Sequence, residues 1–382
     1  MSDLSSVIIR QPVPLKCGDL AEMIRLVRSL YRLSQLPQYR SAVQSEVPPI
    51  AGFDPGHDSV MMGYDFHVTE QGPRLIEVNT NAGGILPSWL SNSPENASEN
   101  VLHKKAPSPR RCNQLLETFA EELRRFRGDR NIKPRHILVL DENPSEQHLY
   151  PEMQAFADLF ESWGVKATIA DPAELYADMN GIYFQGEPID LIYNRHCDFY
   201  LETDEMSAVR EAYRNRRVCL TPNPFTYALL GDKRRMVMWS ESEWMKAVCA
   251  NRRILETVQR LVPYSTLLSQ LGRERAWQQR KELVFKPVSR FGSRGVYIGA
   301  KISRKRFETL PDQDTLAQTL VPPSQLTLPG QEKPHKVDFR LFAYRDRVFA
   351  VTSRVYRGQV TNMSSEGSGF APVMVNGDNL AE

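Results

Sequence analysis

The sequence is short of the features that place a protein quickly. It contains no CxxC pair: its five cysteines, Cys17, Cys112, Cys197, Cys219 and Cys249, are scattered through 382 residues. An odd, unpatterned set argues against a disulfide framework or a thiolate zinc site, and fits reduced thiols in a cytoplasm. None of the five stands in a recognisable nucleophile motif. No apolar run approaches the roughly 20 residues that a bilayer-spanning helix needs. Charge of neither sign dominates; the net charge of +2 gives no electrostatic case for nucleic acid or a membrane surface as partner. The opening MSDLSSVIIRQPVPLK lacks the charged-then-apolar layout of a secretory signal. Internal repeats, heptads and low-complexity tracts are missing too. What is present is a globular composition, 41% hydrophobic and 25% charged, long enough for two or three domains with real cores.

The richest stretch runs from Val60 to Gly84, VMMGYDFHVTEQGPRLIEVNTNAGG. Two apolar-rich segments flank Glu70-Gln71-Gly72-Pro73, which predicts a β-hairpin. Because side chains alternate faces along a strand, Asp65 and His67 share one face of the first strand, and Glu77 and Asn79 share one face of the second. A turn centred on Gln71 sets Asp65 opposite Glu77. Facing carboxylates repel unless a cation lies between them. Oxygen-only ligands suit Mg²⁺ or Mn²⁺ rather than zinc, and Mg²⁺ held by few protein oxygens usually carries substrate phosphates. An ordinary amphipathic hairpin with a polar outer face shows the same alternation, so the hairpin alone leaves both readings open.

Elsewhere, residues 18–36 carry Leu20, Ile24, Val27, Leu30 and Tyr31 at helical spacing, with Arg25, Arg28 and Arg32 on a solvated face. A polar, Pro-containing loop over 91–111 leads into a helix at about 112–126. Residues 134–200 alternate short apolar strands with a helix at PEMQAFADLFESWG, the order of an open α/β sheet. Ligands in such sheets lie at strand C-termini, which draws attention to Asp141, Asn143, Asn194 and Arg195; loop polarity explains them as well. GIYFQGEPIDLIYNR reads as a hairpin or strand pair, and CLTPNP as a Pro-rich turn before a helix carrying Lys233. ELVFKPVSRFGSRGVYIG is a strand ending at Lys286, then a loop with Gly292, Ser293 and Gly295, whose small residues would let backbone N–H groups approach phosphates. KVDFRLFAYRDRVFAVTSRVYRG gives two strands around an Arg345-Asp346-Arg347 turn.

Together these residues resemble the ATP-grasp superfamily, whose nucleotide lies between two antiparallel sheets. Lys233 and Lys286 match its two lysines, and Ser289 to Gly295, including Gly292 and Ser293, its phosphate-covering loop. LAQTLVPPS is similar to the strand whose backbone reads adenine, pointing to Gln318, Leu320 and Val321. VDFRLF matches the Asp-x-Arg strand through Asp338 and Arg340, and SRVYRGQVTNMSSEGSG the loop near the transferred phosphoryl group through Arg354 and Asn362. Asp65, Glu77 and Asn79 match the metal triad. The order is unusual, because the metal hairpin comes first and the chain ends where that hairpin would begin. This resembles the circularly permuted ATP-grasp enzymes, such as glutathionylspermidine synthase and eukaryotic glutathione synthetase. The DFH…LIEVNTNAGG stretch and the YNR…TPNP…GDK run are similar to bacterial members of that group. Glutathionylspermidine synthases carry an arginine two residues before the metal Asp, where Gly63 stands here, so their substrates are not carried over.

The resemblance implies an α/β (α+β) chain with a permuted ATP-grasp fold and an open α/β substrate domain. Its expected parts are a helical region with the metal hairpin over 1–130, a substrate domain over 131–220 and nucleotide-binding subdomains over 221–382. It implies ATP and Mg²⁺ as cofactors, Mn²⁺ being an alternative, with small-molecule or peptide carboxylate and amine substrates. The implied reaction is ATP-dependent ligation through an acyl phosphate, with Arg340, Arg354 and Asn362 near the moving phosphoryl group and Arg195 on the acceptor carboxylate. An ATP-grasp phosphotransferase acting on a small molecule and a catalytically silent ATP-binding regulator stay open beside it.

Overall fold

The computed structural model describes residues 4–92, 108–288, 295–359, 361 and 367–377. The helical periodicity near the N-terminus forms Cys17–Ser34, which buries Met23, Leu26, Val27, Leu30 and Leu33 and leaves Arg25, Arg28 and Arg32 exposed. Spacings of three and four residues put those apolar groups on one stripe. A second long helix, Pro109–Arg127, starts where the Ser108 side chain accepts the Arg111 N–H and ends at Gly128 in the left-handed region, as helix ends usually do.

The chain is mixed α/β. One sheet is parallel, with strands in the order Cys219–Thr221, Leu191–Asn194, His136–Leu140 and Lys166–Ala170. The open α/β reading of 134–200 is met, with two differences. Within GIYFQGEPIDLIYNR, Ile182–Phe184 and Glu187–Pro188 pair with each other in a small antiparallel sheet, while Leu191–Asn194 leaves them to join the parallel sheet. Cys219–Thr221, read as the start of a turn, is that sheet's edge strand. All three of its residues are buried, and Pro222 follows it, beyond the ladder.

Two antiparallel sheets carry Asp65, Glu77, Asn79, Lys286, Asp338, Arg340 and Arg354. The first has the order Ser265–Leu267, Thr315–Thr319, Leu283–Pro287, Tyr297–Ile298. The second runs Gly369–Ala371, Arg347–Tyr356, His335–Tyr344, Met62–Thr69, Gly72–Asn79, with Ser324–Leu326 also on the His335–Tyr344 strand. The N-terminal hairpin thus pairs directly with a C-terminal strand, Asp65 opposite Arg340 and Phe66 opposite Phe339.

The hairpin register has a physical twist. Thr69 pairs with Gly72, so uninterrupted counting would bring Ile76 opposite Asp65. A bulge makes Ile76 the extra residue and restores Asp65 opposite Glu77. A bulge bends the strand and re-aims one backbone group; here the Ile76 carbonyl is released from the ladder and points at Lys286.

Candidate functional site

The two antiparallel sheets enclose a cavity. The hairpin contributes Asp65, His67, Ile76, Glu77, Val78, Asn79 and the following Thr80, the C-terminal strands Asp338, Arg354 and Tyr356, and the other sheet Val284, Lys286, Ile298 and Gln318. Among the described residues, three carboxylates (Asp65, Glu77, Asp338) and three cations (Lys233, Lys286, Arg354) share this lining. Apolar walls with a few convergent polar groups are what small-molecule sites present.

Asp65 is the buried hub. Arg340 grips it bidentately, Nε donating to Oδ1 at 2.6 Å and Nη2 to Oδ2 at 2.7 Å, and Arg354 Nη2 reaches Oδ2 at 2.8 Å. Burial would push its carboxyl up, but the two guanidinium groups hold it down to about 2. Arg354 also donates from Nε to Asp338 Oδ1 at 2.6 Å and from Nη2 to Asp338 Oδ2 at 2.9 Å. Strand register makes both contacts, since Asp338 lies directly across from Arg354 and Asp65 across from Arg340. Fork-shaped pairs of this kind orient the arginines strongly.

Asn79 Nδ2 lies 3.1 Å from Asp65 Oδ2 and 3.4 Å from Glu77 Oε1. Turning that amide over presents its oxygen and removes one donor from Asp65 Oδ2. The set Asp65, Glu77 and Asn79 then carries only hard oxygen donors, the type Mg²⁺ takes, with Glu77 and Asn79 presenting the freer oxygens while both Asp65 oxygens stay shared with Arg340 and Arg354. Among the described residues no group of three His, Cys, Asp or Glu side chains has the arrangement of a metal site; this set has an asparagine as its third member.

Lys286 is buried, and its Nζ donates to the Ile76 carbonyl at 3.0 Å and to Gln318 Oε1 at 2.8 Å. Burial pulls its ammonium down to about 8, with Lys233 adding to the shift and Glu77 and Asp65 opposing it. Gln318 differs from expectation. Its backbone lies inside the ladder between Ser265 and Val284, and its side chain bridges Lys286 and Ser265 Oγ. The connecting segment beyond it, Leu320 and Val321, does line the cavity. His67 Nδ1 meets the Val321 carbonyl at 2.7 Å. Burial lowers its ring's pKa, against the Asp338 carboxylate and that hydrogen bond.

Gly63, where the resemblance departs, now has a reason. A Cβ there would lie 2.5 Å from Ala82 Cβ and 3.1 Å from Arg340 Nε. The space beside residue 63 already holds an arginine, supplied by the neighbouring strand.

Arg195 is not brought to this cavity. It is buried, with Nη1 3.2 Å from Glu152 Oε2. Glu152 also accepts the Gly84 N–H at 2.8 and 3.0 Å and the Leu86 N–H at 3.2 Å. Asn143, His196 and Cys197 line a second, wider cleft of about 910 Å³. The pair Phe199 and Tyr227, stacked at 4.1 Å, lines both spaces. Gly295 is described, with φ +78°, whereas Ser289, Gly292, Ser293 and Asn362 lie outside the described residues. Thr80, Tyr227 and Thr361 line the cavity without having been singled out. Thr80 and Thr361 stand beside asparagines in the VNTN and VTN runs, and that adjacency was the available signal.

The Gly83–Gly84 turn that carries the hairpin into the helix Ile85–Ser91 has no room for side chains. Gly84 has φ +104°, and a Cβ on it would lie 2.2 Å from the Phe370 ring. Gly84→Ala is therefore expected to cost about 2–4 kcal/mol from backbone strain plus overpacking. Denaturant unfolding measures it, and an unchanged midpoint would refute this account of the turn.

No protein-family model and no curated protein sequence matches the chain. Among solved structures, a candidate gamma-glutamylcysteine synthetase from Methylobacillus flagellatus KT superposes with TM-score 0.50 at 11% identity, covering 95% of this chain and 89% of that one. At that identity the likeness speaks for the fold alone. Among the described residues, no helix is long and apolar enough to cross a membrane.

Proposed function

We propose that the chain is an ATP-dependent carboxylate–amine ligase of the ATP-grasp type, with its motifs in circularly permuted order. The observation that carries this reading is the convergence, on one cavity between two antiparallel sheets, of Asp65, Glu77 and Asn79 with Lys233, Lys286 and Arg354. The likeness of fold to a protein named as a candidate ligase agrees with it.

In this reading Lys233 and Lys286 hold the phosphates, with Ser289, Gly292, Ser293 and Gly295 assigned to the same task on the resemblance. Gln318 keeps Lys286 in place, and Leu320 and Val321 face the base. When bound, Mg²⁺ supplies charge neutralisation at the phosphates; Asp65, Glu77 and Asn79 would hold it. Arg340 and Arg354, oriented by Asp65 and Asp338, balance charge as the γ-phosphoryl group passes to a substrate carboxylate, a task also assigned to Asn362, on the resemblance alone. Transfers of this type are catalysed mainly by positioning and charge stabilisation. The products of the first step are ADP and an acyl phosphate. An amine then attacks the acyl carbon, the C–N bond forms, and phosphate leaves. Enclosure by the two sheets protects the acyl phosphate from water. Arg195 is reassigned from the acceptor carboxylate to a positioning role, because it lies off the lining of the cavity and ties Glu152 to the turn after the hairpin.

Calorimetry with ATP tests the reading. Wild type is expected to bind in the presence of Mg²⁺ and to lose tenfold or more of its affinity, on the order of 1.4 kcal/mol, when the metal is chelated. Glu77→Ala should bind no better with Mg²⁺ than without it. Folded wild type that binds no Mg·ATP would end the enzyme reading. ADP release that requires both a carboxylic acid and an amine would separate a ligase from a kinase.

A further inference from the structure

His67 has no task in the reaction above, yet its position is specific. It shares the hairpin face of Asp65 and lines the cavity. Its Nδ1 approaches the Val321 carbonyl at 2.7 Å. A carbonyl oxygen only accepts, so Nδ1 carries the proton, and in the neutral ring Nε2 is left as an acceptor.

What surrounds the ring indicates which donor Nε2 would meet. Its hydrogen-bond partner Val321 belongs, with Leu320, to the connecting segment that the ATP reading places at the base. Asp338, Lys286 and Arg354, which line the same cavity and act on the ring electrostatically, belong in that reading to the phosphate end. In any nucleoside triphosphate the unit between base and phosphates is the sugar, and its hydroxyl groups are hydrogen-bond donors. The side chain is fixed there from two directions, by the alternation of the hairpin strand and by the bond to Val321.

We propose that His67 is the sugar-reading residue of this cavity: Nε2 accepts a hydrogen bond from a ribose hydroxyl, so that the site prefers ribonucleotides to deoxyribonucleotides. The proposal rests on the ATP reading of the cavity and adds to it a residue and a selectivity. It also gives the Val321 contact a purpose, since one imidazole then links the base segment, the sugar and the hairpin that carries Asp65.

Two substitutions divide the ring's functions. In His67→Asn the amide nitrogen falls near the place of Nδ1, so the donor to Val321 is kept while nothing replaces Nε2. In His67→Gln the amide falls near Nε2 and the bond to Val321 is given up. Calorimetry with Mg²⁺ and ATP, 2′-deoxy-ATP or 3′-deoxy-ATP reads the result. Wild type is expected to prefer ATP over at least one deoxynucleotide by about five- to tenfold, the scale of one neutral hydrogen bond. His67→Asn should bind all three alike, at the weaker level, and His67→Gln should keep the preference. Wild type that binds ATP and both deoxynucleotides equally well overturns the proposal and leaves the ATP reading standing. So does a His67→Asn variant that weakens all three nucleotides while keeping the wild-type preference, which would mark a purely structural role. Absence of any nucleotide binding by folded wild type would remove the ATP reading and this proposal with it.

Discussion

Replacing Lys286 with methionine is expected to weaken Mg·ATP binding by about two orders of magnitude. The ammonium is buried, and the two groups it donates to are both neutral: the Ile76 carbonyl and the Gln318 amide oxygen. A cation in that setting gains most from an anion, and a charge-assisted bond to phosphate contributes about 1.5–3 kcal/mol. The same burial brings its pKa to about 8, which gives the prediction a pH signature. The folded-state value is lowered, so the charge is present at pH 7 and lost as pH rises through 8. ATP affinity of wild type should therefore fall about tenfold between pH 7 and pH 9, one unit either side of the midpoint. Linkage gives stability of the empty protein the opposite trend: between about 8 and the ordinary 10.5, the unfolded chain binds more protons and stability rises with pH. Lys286→Arg, which does not titrate in this range, should flatten the affinity profile. Calorimetry across pH checks both points. A Lys286→Met protein that binds as wild type does, or a flat wild-type profile, would remove Lys286 from the phosphate end.

How far the sequence showed this site depends on whether a feature is local. The hairpin face of Asp65, His67, Glu77 and Asn79 was legible because strand alternation is a nearest-neighbour property. Its register came out as expected, but through the bulge at Ile76, which nothing in LIEVN announces. Lys286 was legible as the polar end of an apolar strand. The role of Gln318 was not, since reading it requires knowing that Ser265 and Val284 flank it on both sides of the sheet. Arg195 shows the same limit: its partner Glu152 is 43 residues away, in the first turn of a helix, where nothing local marks a carboxylate as buried. Cys219–Thr221 is too short for periodicity to mark it as a strand. Long-range pairing of charges and strands is where sequence patterns stop being informative.

Glu122 is the largest instance of such hidden pairing, and its removal should be the most destabilising single change outside the cavity. It lies on the helix Pro109–Arg127 and is fully buried. Its two oxygens take His57 Nδ1 at 2.8 Å, the Asp58 N–H at 3.2 Å, Thr221 Oγ1 at 3.1 Å and Tyr344 OH at 2.8 Å. The four donors come from the segment before the hairpin, the edge strand of the parallel sheet and a strand of the antiparallel sheet, so one carboxylate joins three parts of the fold. Burial would raise its pKa, but His57 and the hydrogen bonds lower it. Burial would lower that of His57, yet the neighbouring Cys219 and Glu122 hold it well above the usual 6.5. Glu122→Ala leaves the imidazolium and three donors without their acceptor, at a cost of about 3–5 kcal/mol. Glu122→Gln keeps oxygen for two of the donors and should cost about half as much. The signs of the pH dependence follow from linkage. The contribution of Glu122, whose folded pKa is depressed, is present above its ordinary 4.5 and lost as pH falls through the folded value. That of His57, whose folded pKa is raised, is full below 6.5 and fades as pH rises through the folded value. Urea unfolding of wild type, Glu122→Ala and Glu122→Gln at pH 5.5 therefore samples the pair where both contributions are present. If Glu122→Ala unfolds within about 1 kcal/mol of wild type there, a spread too small for a broken buried pair, the three parts are held together by apolar packing and the carboxylate is incidental to it.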